Sequence, residues 1–187
     1  SQISNIKYQK TDSVIEALIL ESNLIKKYQP KYNIRERDDK SFIQIALTKE
    51  DFPRFLVIRP TEKEQLKTPI KKYWGPYTSN SAVKEILSTL RKIFTYRDCS
   101  IYKFSRYQKK TTPCLFYSIN LCPAPCCGYI SKNDYNKIIK QISEFLDGKK
   151  KRVISLLKKQ MQIESKKQNY EIAAKLRDRI LAFEHIN

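Results

Sequence analysis

Apolar and polar positions follow three rhythms along the chain. Val14, Ala17, Leu18, Glu21, Leu24, Ile25 and Tyr28 recur at helical spacing, which predicts a helix over 12–29 with one apolar stripe. Ser13 followed by Glu16 opens it as a capping box, and Pro30 stops it. Before it, Ile6 and Tyr8 alternate with Lys7 and Gln9, so the chain opens inside what reads as a strand. Residues 34–41 are charged and aperiodic and read as a linker. Phe42–Leu47 and Phe55–Arg59, rich in β-branched and aromatic residues, read as strands on either side of a charged turn that ends in Pro53. Tyr73 to Tyr77 reads as an aromatic turn.

The helical rhythm returns at Val83, Ile86, Leu87, Leu90, Ile93 and Phe94. It fails over 95–130, where all five cysteines lie and where Pro113, Pro123 and Pro125 sit beside them; this stretch is expected to be irregular. From Ser131 the chain is helical to its end. Ser131 with Asp134 opens a helix carrying Tyr135, Ile138, Ile139, Ile142, Phe145 and Leu146, and Asp147-Gly148 closes it. Val153, Leu156, Leu157 and Met161 mark the next helix, and Ile172, Ala173, Leu176, Ile180 and Phe183 the last. The polar break at Lys166–Asn169 is short enough to predict an antiparallel hairpin. The fold class is α+β, with no internal repeat.

Composition narrows the chemistry. Lys+Arg is 37 against 19 for Asp+Glu among 187 residues, a net charge of +18, which points to a polyanionic partner, nucleic acid first. No apolar run is long enough to span a membrane, and nothing near the start resembles a secretory signal. The three glycines, Gly75, Gly128 and Gly148, are too far apart for a phosphate-cradling loop, and the single histidine, His185, excludes a His-based triad or a poly-His metal site. The only methionine is Met161, so Ser1 reads as the start of a piece trimmed from a longer protein.

Without a secretory signal, a reducing compartment is expected, and the cysteines are read as thiols rather than disulfides. Cys114-x7-Cys122-x3-Cys126, with Cys99 upstream, has the count for zinc or an iron–sulfur cluster but lacks the paired CxxC knuckles of structural zinc. Ordinary reduced thiols in a small core are the third reading, and Cys127 competes with Cys126 as a ligand. Between Cys99 and Cys114, Lys103, Arg106, Lys109 and Lys110 interleave with Tyr102, Phe104 and Tyr107 without an acid. That composition suits a nucleic-acid surface, or a solvated basic loop with its rings tucked inward. Lys149–Arg152 is a further basic run, read as a solvated face or a phosphate contact. Glu21 interrupts the first apolar stripe. It is either a rim carboxylate reaching water or a paired or metal-bound one.

Glu16 to Asn33 (EALILESNLIKKYQPKYN), Arg37–Ser41, Asp51–Arg54, Trp74–Tyr77, the cysteine stretch and Met161–Phe183 together resemble the UvrC family, incision subunits of bacterial nucleotide-excision repair. The resemblance spans essentially the whole chain. It implies the end of a GIY-YIG nuclease domain over 1–34, a linker and small α/β element over 35–94, a cysteine-cluster domain with a helix over 95–148, and a UVR-type hairpin over 149–187. It implies that Glu21 holds a divalent cation, Mg²⁺ or Mn²⁺, with Asn33 near the same site; a helix-to-loop turn explains Asn33 equally well. It assigns a [4Fe–4S] cluster, zinc being the alternative, to Cys99, Cys114, Cys122 and Cys126. It makes UvrB the partner of the hairpin, through Tyr170, Ala173, Ala174, Arg177 and Ile180, and damaged double-stranded DNA the substrate, in a bacterial cytoplasm. The family's upstream catalytic tyrosines and arginine are absent from these residues, so the chain alone is expected not to cut DNA. The alternatives are a non-catalytic nucleic-acid-binding adaptor with a structural cluster, and a zinc-binding interaction module.

Overall fold

The structure, a computed structural model, describes residues 5–30, 43–77 and 79–184. Among them, a small sheet lies in a layer of helices. Helix α1 spans Val14–Tyr28, strands β1, β2 and β3 span Ile43–Thr48, Phe55–Ile58 and Ile70–Tyr77, and helix α2 spans Asn80–Phe94. Helices α3 (Ile101–Lys110), α4 (Leu115–Ser118), α5 (Lys132–Leu146), α6 (Lys150–Lys166) and α7 (Tyr170–Glu184) follow. The architecture is α+β.

The sheet order is β2-β1-β3, antiparallel throughout. Central β1 buries Ile45, Ala46 and Leu47 in succession, so helices and turns cover both of its faces. The aromatic run read as a turn is the second half of β3: Trp74 pairs with Ile45 and Tyr77 with Ile43. The register shifts between these pairs, at Gly75, whose φ of +127° is closed to side chains and where a Cβ would stand 3.0 Å from the Ile43 carbonyl. A glycine and a proline inside a strand masked it in the sequence.

Helix caps follow the sequence closely. The Ser13 hydroxyl accepts from Glu16 N–H, Ser79 from Ala82 and Ser131 from Asp134. The Glu16 carboxylate does not complete its box; it pairs with Lys150 across the molecule. The α1 face turned to the core is Ile15, Ile19 and Ser22, with Leu18 the member of the expected stripe that packs against the core, and Tyr77 makes a hydrogen bond to Ser22 while burial pushes its phenol up. Val14 is 71% exposed and Tyr28 65%. α1 is apolar on two sides, and periodicity alone does not choose between them. Residues 5–11 carry no strand.

One core runs through the described chain, from Ile15 and Ile19 of α1 through Trp74 and Phe55 of the sheet to Leu90, Tyr135, Ile142, Leu157 and Phe183. Phe183 is fully buried, edge-on to Phe94 at 5.3 Å and to Phe145 at 4.8 Å, so α7 is locked to α2 and α5. Lys72 and the Trp74 indole N–H both bond to Asp147, at 2.7 and 2.8 Å, tying the end of α5 to β3.

Candidate functional site

The cysteine stretch is more regular than its prolines and missing periodicity predict. Ser100 caps α3 by accepting from Lys103 N–H, and Cys114 stands at the N-cap of α4. Cys122 N–H donates to the Phe116 carbonyl at 3.0 Å. Ala124, at φ 49°, turns the chain into a 3₁₀ turn over Pro125–Cys127 that Gly128 closes at φ 74°. Cys122 is buried, and Cys99, Cys114, Cys126 and Cys127 are half-buried; none is in a disulfide.

The thiols feel one another. Burial pushes the Cys122 thiol up to about 11, and the charges of Cys99 and Cys114 add to it, while a backbone N–H at Ala124 and the Arg91 guanidinium oppose. Burial pushes Cys126 up to about 12, helped by Cys127, Cys122 and Cys99. Cys126 Sγ stands 3.8 Å from Cys127 Sγ, and Cys127 Sγ donates to the Tyr107 carbonyl at 3.9 Å. Among the described residues, no three His, Cys, Asp or Glu side chains stand close enough to hold an ion between them. The donor chemistry nonetheless suits a soft metal: the candidate ligands are all free thiols, and the raised ones are groups that a bound cation would deprotonate.

Two arginines frame the patch. Arg97 is 3% exposed. Its Nε donates to the Phe52 carbonyl at 2.6 Å, its Nη2 pairs with Glu50, and its Nη1 reaches Cys99 Sγ at 3.8 Å. Its guanidinium also covers the Phe104 ring at 4.7 Å. The Tyr135 hydroxyl accepts from Arg97 N–H and donates to the Pro53 carbonyl at 2.8 Å, and burial pushes its phenol up. Arg91 donates to the Leu121 carbonyl at 3.1 Å, pairs with Asp98 and lies over Phe116 at 4.4 Å. Neither arginine was singled out in the sequence. The available signal was Arg97 as a cation two residues before the first cysteine and three after the apolar run of α2 ends at Phe94.

The basic segment between Cys99 and Cys114 is helix α3, not a loop. Arg106, Lys109 and Lys110 are exposed, with the last two in the final turn, where cations suit the helix dipole. Lys103 is half-buried, its ammonium 5.0 Å over Phe116. Phe104 stacks on Phe52 at 5.8 Å and faces inward, Tyr107 is half-buried, and Tyr102, 80% exposed, is the ring that projects.

Glu21 is exposed on the outer face of α1. Asn33 lies outside the described residues. At the other end of the molecule α6 and α7 fold back on each other across residues 167–169, and an open groove of ≈ 800 Å³ lies beside the turn. Tyr170, Ala173, Ala174 and Arg177 line it, with Met161 from α6. Ile180, expected at the same surface, is buried against the chain's own core, as are Val153, Leu157, Leu176 and Phe183. The hairpin's apolar excess is therefore covered by α2 and α5 at one end and stays open at the other, where Tyr170 is 66% exposed.

Among families, residues 42–145 match the UvrC/Cho excinuclease middle domain, residues 1–34 the UvrC-like GIY-YIG domain, and residues 151–186 the UvrB/UvrC motif. The chain belongs to the UvrC/Cho excinuclease family. It is similar to the UvrABC system protein C of Clostridium kluyveri, 47% identical over 98% of this chain, and to that of Clostridium tetani, 47% identical over 100%. The protein of the same name from Caldanaerobacter subterraneus is 41% identical over 100% of this chain. The chain spans about 29–30% of the length of these curated relatives. No solved structure matches it. Among the described residues no helix is long and apolar enough to cross a membrane.

Proposed function

We propose that this chain is the part of an excision-repair incision subunit that connects its nuclease domain to its partner. The observation that carries the reading is the order of the three family segments, nuclease, middle domain and UVR motif, with barely a gap between them. In this reading the intact protein is a GIY-YIG-type endonuclease that incises damaged double-stranded DNA. Glu21 would hold Mg²⁺ or Mn²⁺ for it, and the apolar outer face of α1 would pack on the rest of the nuclease domain. Among the described residues no group of three metal-ligating side chains includes Glu21, and one exposed carboxylate does not by itself hydrolyse a phosphodiester, so the chain alone would be inactive.

Cys99, Cys114, Cys122 and Cys126 would hold a [4Fe–4S] cluster, zinc being the alternative, with Cys127 as the competing ligand. Bound there, the cluster supplies a rigid cross-link among the segments that flank α3 and a redox-capable centre. The surrounding residues support this role: the Arg91 guanidinium opposes the upward push on the Cys122 thiol, Arg97 Nη1 reaches Cys99 Sγ at 3.8 Å, and α3, between Cys99 and Cys114, would be held in place for DNA. The groove at the hairpin turn would receive the matching motif of UvrB through Tyr170, Ala173, Ala174 and Arg177, the two alanines allowing close approach of a partner helix.

A second reading, a non-catalytic nucleic-acid-binding adaptor, is favoured by the isolated exposure of Glu21. A cleavage assay on the intact gene product with UvrB and lesion-bearing DNA separates the two. Incision that disappears in Glu21→Ala supports the nuclease, and incision unchanged by that substitution removes Glu21 from the site.

A further inference from the structure

A second basic surface, lined by neither the cysteines nor the residues of the hairpin turn, lies on the far side of the β1–β2 turn from α3. An open cleft of ≈ 670 Å³ runs between the sheet and α5, and lysines from three separate elements enter it: Lys49 after β1, Lys71 on β3 and Lys140 on α5. All three are exposed, and none has an ion-pair partner among the described residues. The other charges of the cleft are already engaged. Glu50 pairs with Arg97, Asp51 with Lys132, and Lys72 with Asp147. The cleft therefore presents net positive charge despite its two acids. Asn136 adds a half-buried amide, and no aromatic ring lines the walls.

We propose that this cleft binds the phosphodiester backbone of a nucleic acid, as a contact surface separate from α3. Three uncommitted ammonium groups converging from different elements suit a row of phosphates. Without rings for stacking, the contact positions the polyanion without reading its sequence. The β1–β2 turn separates this cleft from α3: Lys49 and Asp51 line the cleft, while the next residue, Phe52, stacks on Phe104 of α3. A nucleic acid lying in the cleft thus runs toward α3. The inference rests on the reading of the chain as DNA-binding and adds a site to it.

The test is binding of a fluorescent DNA duplex to the chain across a series of salt concentrations. Lys49→Gln, Lys71→Gln and Lys140→Gln combined should reduce the slope of log affinity against log salt by about 2–3, since each phosphate contact contributes about 0.9. These side chains are exposed, so the circular dichroism and melting of the variant should match wild type. Arg106→Gln, Lys109→Gln and Lys110→Gln, combined in a second variant, report on α3. If the cleft variant keeps the wild-type slope while the α3 variant loses part of it, the cleft is overturned and the DNA reading stands. If wild-type chain binds no duplex at all, the DNA reading falls and the cleft with it.

Discussion

Arg97 Nη1 lies 3.8 Å from Cys99 Sγ, while Nε of the same guanidinium holds the Phe52 carbonyl at 2.6 Å. One buried side chain thus ties the first cysteine to the β1–β2 turn, and through Tyr135 that turn is tied to α5. Lysine lacks the planar fork that makes these contacts together. Arg97→Ala takes from half-buried Glu50 its closest cation, leaving Arg54 at 4.0 Å, and strips the Phe52 carbonyl of its donor; it should cost about 1–3 kcal/mol in urea denaturation. Arg97→Lys should recover part of that stability and still lower metal retention, because Cys99 loses its neighbour. Wild-type retention in Arg97→Lys would separate Arg97 from the cysteine site.

Tyr102 and Phe104 are two residues apart on α3 and should behave oppositely. Tyr102 projects, whereas Phe104 packs between Phe52 and Arg97. Tyr102→Ala should weaken single-stranded DNA binding by about 1–3 kcal/mol without changing the melting temperature, if a base stacks on that ring. Phe104→Ala should lower the melting temperature. Equal DNA affinity for wild type and Tyr102→Ala would leave α3 as a purely electrostatic surface.

The two ends of the hairpin also separate. Phe183→Ala removes a ring wedged between Phe94 and Phe145 and should destabilise the chain by about 3–5 kcal/mol, read by calorimetric melting. Tyr170→Ala should leave melting unchanged and weaken calorimetric binding of the UvrB C-terminal segment by about 1–2 kcal/mol or more. Unchanged affinity would remove Tyr170 from the interface.

Incubated with Mg²⁺ or Mn²⁺, the 187-residue chain should leave plasmid and lesion-bearing duplex uncut. Because Glu21 is exposed, Glu21→Ala should not alter the fold of the chain by circular dichroism. Cutting above background by the chain alone would mean that its own residues suffice for hydrolysis.

The longer helices were legible from local signals: Ser13 and Ser131 each accept from the N–H three residues on, and α2 was legible from its apolar stripe and not from its Ser79 cap. What escaped was tertiary. Strand β3 was hidden by Gly75 and Pro76, which local rules assign to a turn. The apolar excess of α6 and α7 is real, but Leu176, Ile180 and Phe183 find their cover on α2 and α5, and no spacing rule reports that. The basic character of residues 103–110 was plain, yet their helix was not: α3 buries no residue fully, and its short inward face, Phe104 and Tyr107, is easily read as rings interleaved with cations. At the cysteines the count was readable, but the framing by Arg91 and Arg97 depends on contacts 30 and 45 residues apart in sequence.

The metal content of protein purified without oxygen tests the central claim most directly. A brown solution with about four iron and four sulfide per chain, lost in Cys122→Ala and kept in Cys127→Ala, is the result predicted here. A colourless protein carrying one zinc per chain, or no metal at all, would contradict it.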